Sequence, residues 1–442
     1  KFFIPVEKME WKGGEKKRRV GISSFGFSGT NVHMILEEAP VRKEVINATE
    51  RNSHVLTFSA KSEASLNGLA KRYAEFLESD LLNSKPAAFA DVAFTANTAR
   101  AQFEFRAAVV ANDAASAADK LKQLAEGHTS VGAFRGEAKP VTGTAWLFTG
   151  QGSQYAGMAK ELYDSNPAFK QKLDACEKLF EAETAESLLG ILWGDQAAEI
   201  DNTRYTQPAI FALEYALATH WQSLGLKPTV MVGHSVGEYA AAVIAGIMSL
   251  EDAMKLIVAR GKLMVELCEK GDMAAVLTTQ DKVEEIIAGN SAVQLAACNA
   301  PGNTVVSGTA DGIKAVLQKA SSLDVDARLL TVSHAFHSNM MQPMLDAFRK
   351  VAESISYKPA TLSIVSTVSG RANQGEMSTA GYWVEHVKRP VLFVNAVKEL
   401  PALKVNVCLE VGPGATLTSL AQQCLGQDGF TFVHSLRAKQ DA

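Results

Sequence analysis

The sequence predicts an α/β protein in which a parallel-sheet core carries an inserted smaller α/β unit and follows another small α/β unit. Three observations carry this. Strand-like and helix-like segments alternate from about residue 53 onward. Residues from about 272 to 336 read β-α-β-β-α-β, a ferredoxin-like order. The β-branched run TVMVG ends in a tight GHSVG turn that opens directly into an alanine-rich helix. A chain of 442 residues with 47% hydrophobic and 21% charged content can bury the cores that such units need.

Taken in order, residues 17–40 read as a strand, a Gly/Ser loop and a second strand, VHMILEE. Two strands cannot bury a core alone, and KGGEKKRR before them reads as a solvated loop. HVLTFSA is a strand, SEASLNGLAKRYAEFLESDL an amphipathic helix, AFADVAFTANTA a helix, FEFRAAVVA a strand and DAASAADKLKQLAEG a helix. That unit ends near Ala138-Lys139-Pro140, and the buried strand AWLFTG starts the next. After the GHSVG turn a helix spans 250 to about 268, with Ser249 as N-cap and Asp252 completing a capping box. The insert then runs MAAVLT (strand), DKVEEIIAG (helix), VQLAAC and NTVVSG (strands), DGIKAVLQKASS (helix) and ARLLTVS (strand). TLSIVST and VNVCLEVG resume the larger sheet.

Composition excludes several classes. A net charge of −4 argues against nucleic acid as a partner. Five cysteines, an odd number with no C-x-x-C pair, argue against a disulfide framework or zinc site and fit a reducing cytoplasm. No apolar run reaches the ~18–20 residues that span a membrane, and no signal peptide opens the chain. A start at Lys1 suggests a piece of a longer polypeptide.

Gly233-His234-Ser235-Val236-Gly237 has the G-x-S-x-G form. In a nucleophile elbow such glycines permit a sharp turn and close backbone approach, and the next helix aims N–H donors at the serine. Ser235 then attacks a carbonyl whose oxyanion those donors hold; the alternative is that it caps the helix. A nucleophile needs a base. His234 reads as a turn residue, whereas His334 and His337 fall where the insert rejoins the core, a place where clefts form. No acid sits near them in a recognisable motif. Glu410 is a candidate only by default, so a Ser-His dyad with a backbone carbonyl orienting the histidine is the leaner reading. Arg260 shares one helix face with Leu256, Ile257, Leu263 and Met264. A buried guanidinium requires a partner, either a protein acid or a substrate carboxylate.

In order along the chain, FTGQGSQYAGM, RYTQPAIFALE, GHSVGEYAAA, ARGKLM, HAFHS, YWVEHVKRPVLF and EVGPGATLTSL make residues 143 to about 437 resemble the malonyl-coenzyme A:acyl-carrier-protein transacylases. The likeness is strongest to acyltransferase domains of modular polyketide synthases. GISSFGFSGTNVHMILEEAP resembles the end of a β-ketoacyl synthase, and 41–142 the linker domain between synthase and acyltransferase. The resemblance implies a ketosynthase remnant at 1–40, a small α/β linker domain at 41–142, and a hydrolase-like acyltransferase domain at 143–442 with its ferredoxin-like small subdomain at about 272–336.

It also implies roles. Ser235 is the acylated nucleophile and His337 the general base and acid. Gln151 and the Val236 N–H form the oxyanion hole. Arg260 binds a malonyl carboxylate, Gln207, His334, Phe336 and Asn299 line the substrate pocket, and the His386 carbonyl orients His337. HAFHS and GHSVG are the malonyl-associated forms, with Phe336 crowding the space of an α-methyl group. One methyl carries only about 1–3 kcal/mol of discrimination. The expected substrate is malonyl-coenzyme A, the acceptor a carrier-protein phosphopantetheine thiol, and the partner a ketosynthase of the same polypeptide or assembly line. No bound cofactor, metal, nucleic acid or membrane is implied. The condensing residues of a synthase are not in the chain, and His33 is not one of them.

Overall fold

A computed structural model of the chain describes residues 3–14, 16–40, 52–79 and 88–437. They fall into two compact units, Lys1–Glu50 and Arg51–Ala442. The expected boundary at 40/41 borders residues outside those described. The end of the expected helix at Asp80 and Leu81, and the chain terminus, also lie outside them.

The first unit is one antiparallel hairpin of β1 (Arg19–Phe25) and β2 (Asn31–Glu37), closed by the Gly26 N–H donating to the Thr30 carbonyl at 2.7 Å. Its strand residues are all exposed, as expected of two strands that have too little surface to enclose a core. Ion pairs of Arg19 with Glu37 (2.7 Å) and Arg18 with Glu38 (2.6 Å) tie the open end.

The second unit opens with an antiparallel sheet of β3 (His54–Ala60), β4 (Phe105–Ala111) and β5 (Ala133–Glu137). Helices α1 (Glu63–Leu77), α2 (Ala88–Ala99) and α3 (Ala114–Ala125) complete a separate small core around Leu56, Val109 and Leu121. The sequence signal missed β5, because AFRGE lacks alternating apolar residues and its strand is an edge.

The main sheet contains β6 (Thr144–Phe148), β7 (Val230–Gly233), β12 (Ser363–Ser366), β13 (Arg371–Ala372), β14 (Val407–Val411) and β15 (Thr431–His434). The order is β13-β12-β7-β6-β14-β15, parallel except for the β13 edge. Both central strands are buried along their length, which explains their continuous apolar runs. Between β7 and β12 lies the insert. Its strands β8 (Asp272–Val276), β9 (Val293–Ala300), β10 (Asn303–Gly308) and β11 (Ala327–Leu329) form an antiparallel sheet ordered β11-β8-β10-β9. Two helices, Gln280–Ile287 and Ala310–Ser322, pack on it through Val283, Ile286, Ile313 and Val316. The strand expected over ARLLTVS stops at Leu329. One further ladder contact, Leu330 N–H to the Met273 carbonyl, follows before the chain turns toward the main sheet.

Three further helices position the site: α4 (Thr203–Ser223), α5 (Gly237–Ile244) and α6 (Leu250–Leu267). The Ser249 hydroxyl accepts from the Asp252 N–H, which is one half of the expected capping box. Helix α6 sits tightly on the first turn of α4. A Cβ on Gly261 would lie 2.9 Å from the Thr203 carbonyl oxygen and 3.0 Å from that of Arg204. Among the described residues no helix is long and apolar enough to cross a membrane.

The two turn glycines are required by space. A Cβ on Gly237 would meet the Phe148 carbonyl oxygen at 2.3 Å, and one on Gly233 the Glu238 nitrogen at 2.3 Å. Backbone cannot yield as a side chain does. Gly237→Ala should therefore destabilise the fold by at least the ~1–3 kcal/mol of ordinary overpacking, read as a lower urea midpoint with an unchanged slope.

Candidate active site

Ser235 occupies the tip of the turn between β7 and α5. Its φ is +51°, a left-handed conformation that is costly for any residue with a Cβ. The strain therefore sits on the serine itself, and the glycines supply clearance. The Gly237 N–H donates to the His234 carbonyl (3.1 Å) and the Glu238 N–H to the Ser235 carbonyl (3.0 Å), holding the turn closed. Val236, the first residue of the helix mouth, spends its N–H on none of these turn bonds.

His337 is brought to Ser235 from 102 positions away, with Nε2 at 2.7 Å from the serine Oγ. Its Nδ1 lies 2.9 Å from the Arg389 carbonyl. A carbonyl only accepts, so Nδ1 carries the proton and Nε2 presents a lone pair to the serine O–H. The expected acceptor is the His386 carbonyl; the bond at hydrogen-bond distance goes to the Arg389 carbonyl, with His386 as the lesser contributor. Helix α7 (Ala380–Lys388) ends here, and Arg389 turns out of it at φ −74°, ψ 148°. Last-turn carbonyls have no helical partner, and that of Arg389 is the one aimed at the ring. The backbone of His386 also favours the protonated ring, but less than Arg389 does.

The His386 side chain, fully buried, stands among Tyr239, Tyr382 and Trp383. Burial, then the charge of Arg260, hold it well below the ordinary histidine range, so it is neutral beside Glu238 (3.5 Å). Glu238, in the first turn of α5, accepts from the Thr367 N–H (2.5 Å) and hydroxyl and from the Tyr382 hydroxyl (2.6 Å). Burial pushes its carboxyl up to about 7 against those donors. This network ties the turn to the end of β12. Glu410 is engaged elsewhere. Its Oε2 accepts the Thr418 N–H (2.7 Å) and hydroxyl (2.9 Å) within helix α8 (Thr416–Leu425).

Arg260 is 1% exposed. One guanidinium N–H donates to Gln207 Oε1 at 2.7 Å and another to Ser235 Oγ at 3.3 Å. Its Nε has no partner, and among the described residues no carboxylate lies within ion-pair distance. Of the two readings of this arginine, the protein-acid one finds no acid. Gln207 is one turn along α4 from Thr203, and its Nε2 donates toward Gln151 Oε1 at 3.4 Å. Gln151 Nε2 donates to the Thr203 hydroxyl at 3.0 Å. Thus Ser235, His337, Arg260, Gln207 and Gln151 form one linked cluster.

The other three expected pocket residues also have partners or are buried. Asn299 Oδ1 is 2.9 Å from His234 Nε2, so its amide ties the turn to the insert's sheet. His334 is buried and its Nδ1 pairs with the Ser333 hydroxyl at 2.8 Å. Phe336 is buried next to His337 in the core cluster. Sequence reading missed Thr203, Ser333, Glu238 and the Arg389 carbonyl. Only Thr203 had a signal, its i, i+4 spacing to Gln207.

A strained serine hydrogen-bonded to a neutral histidine, beside helix-mouth donors and a buried cation, is an arrangement suited to nucleophilic acyl chemistry. Residues 145–440 match the family model described as acyl transferase domain, and 54–121 one described as CurL-like, PKS C-terminal. The chain belongs to the acyl transferase domain family. Among curated proteins it is similar to the phenolphthiocerol synthesis polyketide synthase type I Pks15/1 of Mycobacterium marinum: 39% identity over 430 residues, 96% of this chain and 20% of that protein. It is 37% identical over 450 residues to polyketide synthase GfsA of Streptomyces halstedii, covering 99% of this chain and 6% of that one. The chain thus spans a small part of these relatives.

Among solved structures, the acyltransferase domain from the second module of the salinomycin polyketide synthase superposes with TM-score 0.72 at 36% identity, covering 86% of this chain and 88% of that one. The acyl transferase domain of SpnD, in complex with 2-(pent-4-yn-1-yl)malonyl, gives 0.80 at 27%, covering 89% and 93%. The malonyl CoA-acyl carrier protein transacylase of Clostridium perfringens gives 0.62 at 29%, covering 67% and 94%. The fold is the parallel-sheet α/β core with inserted small sheet that these domains share.

Burial, then the Arg260 cation, push His337 down to about 3. The neutral ring needed to accept the serine proton is therefore present down to that pH. The acid limb of Ser235 acylation by a neutral ester should lie far below the ordinary histidine value of ~6.5. Arg260→Met removes the cation and should move that limb to higher pH, while burial keeps it under the ordinary value. Stability has the same sign: the unfolded chain protonates first, so this group's contribution is present above about 6.5 and lost as pH falls toward about 3.

Proposed function

We propose that this chain transfers a malonyl group from malonyl-coenzyme A to the phosphopantetheine thiol of an acyl carrier protein through an acyl-Ser235 intermediate, as one domain of a polyketide synthase. The observation that carries the reading is Arg260: a buried guanidinium with no carboxylate partner among the described residues, 3.3 Å from the hydroxyl of a serine paired to histidine. Leaving such a charge unpaired is costly, and a planar carboxylate is the bidentate partner that it fits.

The carboxylate docks on Arg260. Ser235 Oγ attacks the thioester carbonyl carbon as His337 Nε2 takes the hydroxyl proton, and the Arg389 carbonyl steadies the resulting imidazolium. The oxyanion takes donors from Gln151 Nε2 and the Val236 N–H. As the C–S bond breaks, the leaving coenzyme A sulfur receives the proton from His337. The carrier thiol then gives its proton to His337 and attacks the acyl-serine carbonyl, and as the C–O bond breaks Ser235 Oγ takes that proton back from His337. The same carboxylate offsets the cation that opposes proton uptake by His337, so acyl groups that carry one also strengthen the base. Coenzyme A and phosphopantetheine are substrate and acceptor here.

The HAFHS form and the buried Phe336 support malonyl over α-substituted units, with a preference limited by the value of one methyl. The domain reading is a ketosynthase end at 1–40, a linker domain at 41–142 and the acyltransferase domain at 143–442, in a cytoplasmic assembly with a ketosynthase of the same polypeptide or assembly line as partner.

Intact-mass measurement after mixing with malonyl-coenzyme A should show one malonyl adduct, absent in Ser235→Ala. Equal labelling of that variant would refute the intermediate. Arg260→Ala should lose malonyl loading by about a hundredfold or more, in the range of losing a buried charged contact of ~3 kcal/mol, and gain loading by acetyl-coenzyme A. Competition among malonyl-, methylmalonyl- and acetyl-coenzyme A reads the extender preference.

A further inference from the structure

The Gln151 amide is held from both ends by two residues one turn apart on α4. Its Oε1 faces the Gln207 Nε2 donor at 3.4 Å, while its Nε2 donates to Thr203 Oγ1 at 3.0 Å. Thr203 is 1% exposed, at the first position of α4. Its hydroxyl lies 3.0 Å from Ser333 Oγ, on the loop that leaves the inserted sheet, and Ser333 Oγ lies 2.8 Å from His334 Nδ1. One direction places every proton. Gln151 donates to Thr203, Thr203 to Ser333, and Ser333 to His334, whose Nδ1 then accepts. His334 is pushed down by burial, which keeps it in the neutral state that this direction requires.

We propose that Thr203 is a positioning residue for the acyl-transfer step. By accepting one of the two Nε2 protons of Gln151, its hydroxyl fixes the amide plane so that the other proton points to the oxyanion. This rests on the reading that Gln151 supplies an oxyanion donor. A primary amide on a freely rotating side chain is a poor oxyanion donor, because its orientation must be restored at each turnover; a fixed one incurs no such cost. The Gln151 loop backbone is pinned nearby, with the Gly152 N–H donating to Gln154 Oε1 at 2.7 Å and the Ser153 hydroxyl to the Gly150 carbonyl at 2.9 Å, so what Thr203 adds is the orientation of the side-chain amide. Through Ser333 the hold depends on how the inserted subdomain is seated. Gln207 carries the other end to Arg260, so the donor that meets the oxyanion and the cation that meets the carboxylate share one hydrogen-bonded chain.

The test is a double-mutant cycle read on two acyl donors, malonyl-coenzyme A by adduct formation and p-nitrophenyl acetate by its burst of p-nitrophenol. Thr203→Val keeps the shape and removes the hydroxyl. It should lower the acylation rate constant about 10- to 100-fold, less than the roughly 10²–10³-fold of losing an oxyanion donor outright, with KM changed less than twofold. Thr203→Ser should restore most of the rate. In a Gln151→Ala background Thr203→Val should cost little more, since it acts through that amide. Ser333→Ala, which leaves Thr203 intact, should give a smaller loss that also vanishes in that background. It carries the test if Thr203→Val fails to fold. Additive losses in the cycle, or a loss confined to KM, overturn the proposal. Reaction with the ester but not with malonyl-coenzyme A would reject the malonyl reading while leaving the cycle readable, and no reaction with either would reject both.

Discussion

The charge of Arg260, buried with no counter-ion among the described residues, is the constraint on which the rest of the site depends. A guanidinium withdrawn from water destabilises the free protein unless something offsets it. Here the offsets are partial: one amide oxygen from Gln207, the hydroxyl of Ser235 and the face of Tyr239, whose ring centroid lies 5.8 Å away. The unmet demand falls beside the reacting serine. Burial, and after it this cation, depress both nearby histidines, so both His337 and His386 are neutral.

Backbone, more than side-chain acid, organises the dyad. Ser235 is presented by a strained turn whose glycines let helix and strand backbones approach within van der Waals limits. His337 also has a positive φ, +58°, and its ring is fixed by the carbonyl of a helix end. Helix mouth and helix tail meet at the Ser235–His337 pair, with the mouth's partial positive charge beside the serine and the tail's negative charge facing the imidazole. No third carboxylate is needed for this polarity. Glu238 and Glu410, the buried acids of β7–α5 and β14, serve backbone N–H and hydroxyl donors instead.

The inserted sheet is joined to the core through polar contacts at the same place. Asn299 meets His234 in the turn, Ser333 meets Thr203 on α4, and the Cys298 N–H donates to the Val391 carbonyl two residues past Arg389. A shift of the insert would therefore be felt at the turn, at the Gln151 amide and near the carbonyl that orients His337.

Most of the architecture was legible in the sequence because it follows from local periodicity. The buried parallel strands are continuous apolar runs, the insert alternates helix and strand in an order with few packings, and Ser249 marks its helix start by capping chemistry. Ser235, His337 and Arg260 stood out because each breaks its local pattern: a serine between glycines, histidines at a junction, a charge on an apolar face. What sequence could not decide are the contacts between residues far apart in the chain. Whether Arg260 has a protein acid beside it depends on three-dimensional neighbours. Which carbonyl faces His337 depends on where α7 unwinds, a difference of three residues that no side-chain pattern encodes. Asn299 meets His234 across 65 positions of chain, and Gly261 lets α6 and α4 close together at Thr203. Sequence determined which chemistry the chain carries; tertiary packing decided which atoms face one another, because hydrogen-bond partners are chosen by distance and direction across elements rather than by spacing along the chain.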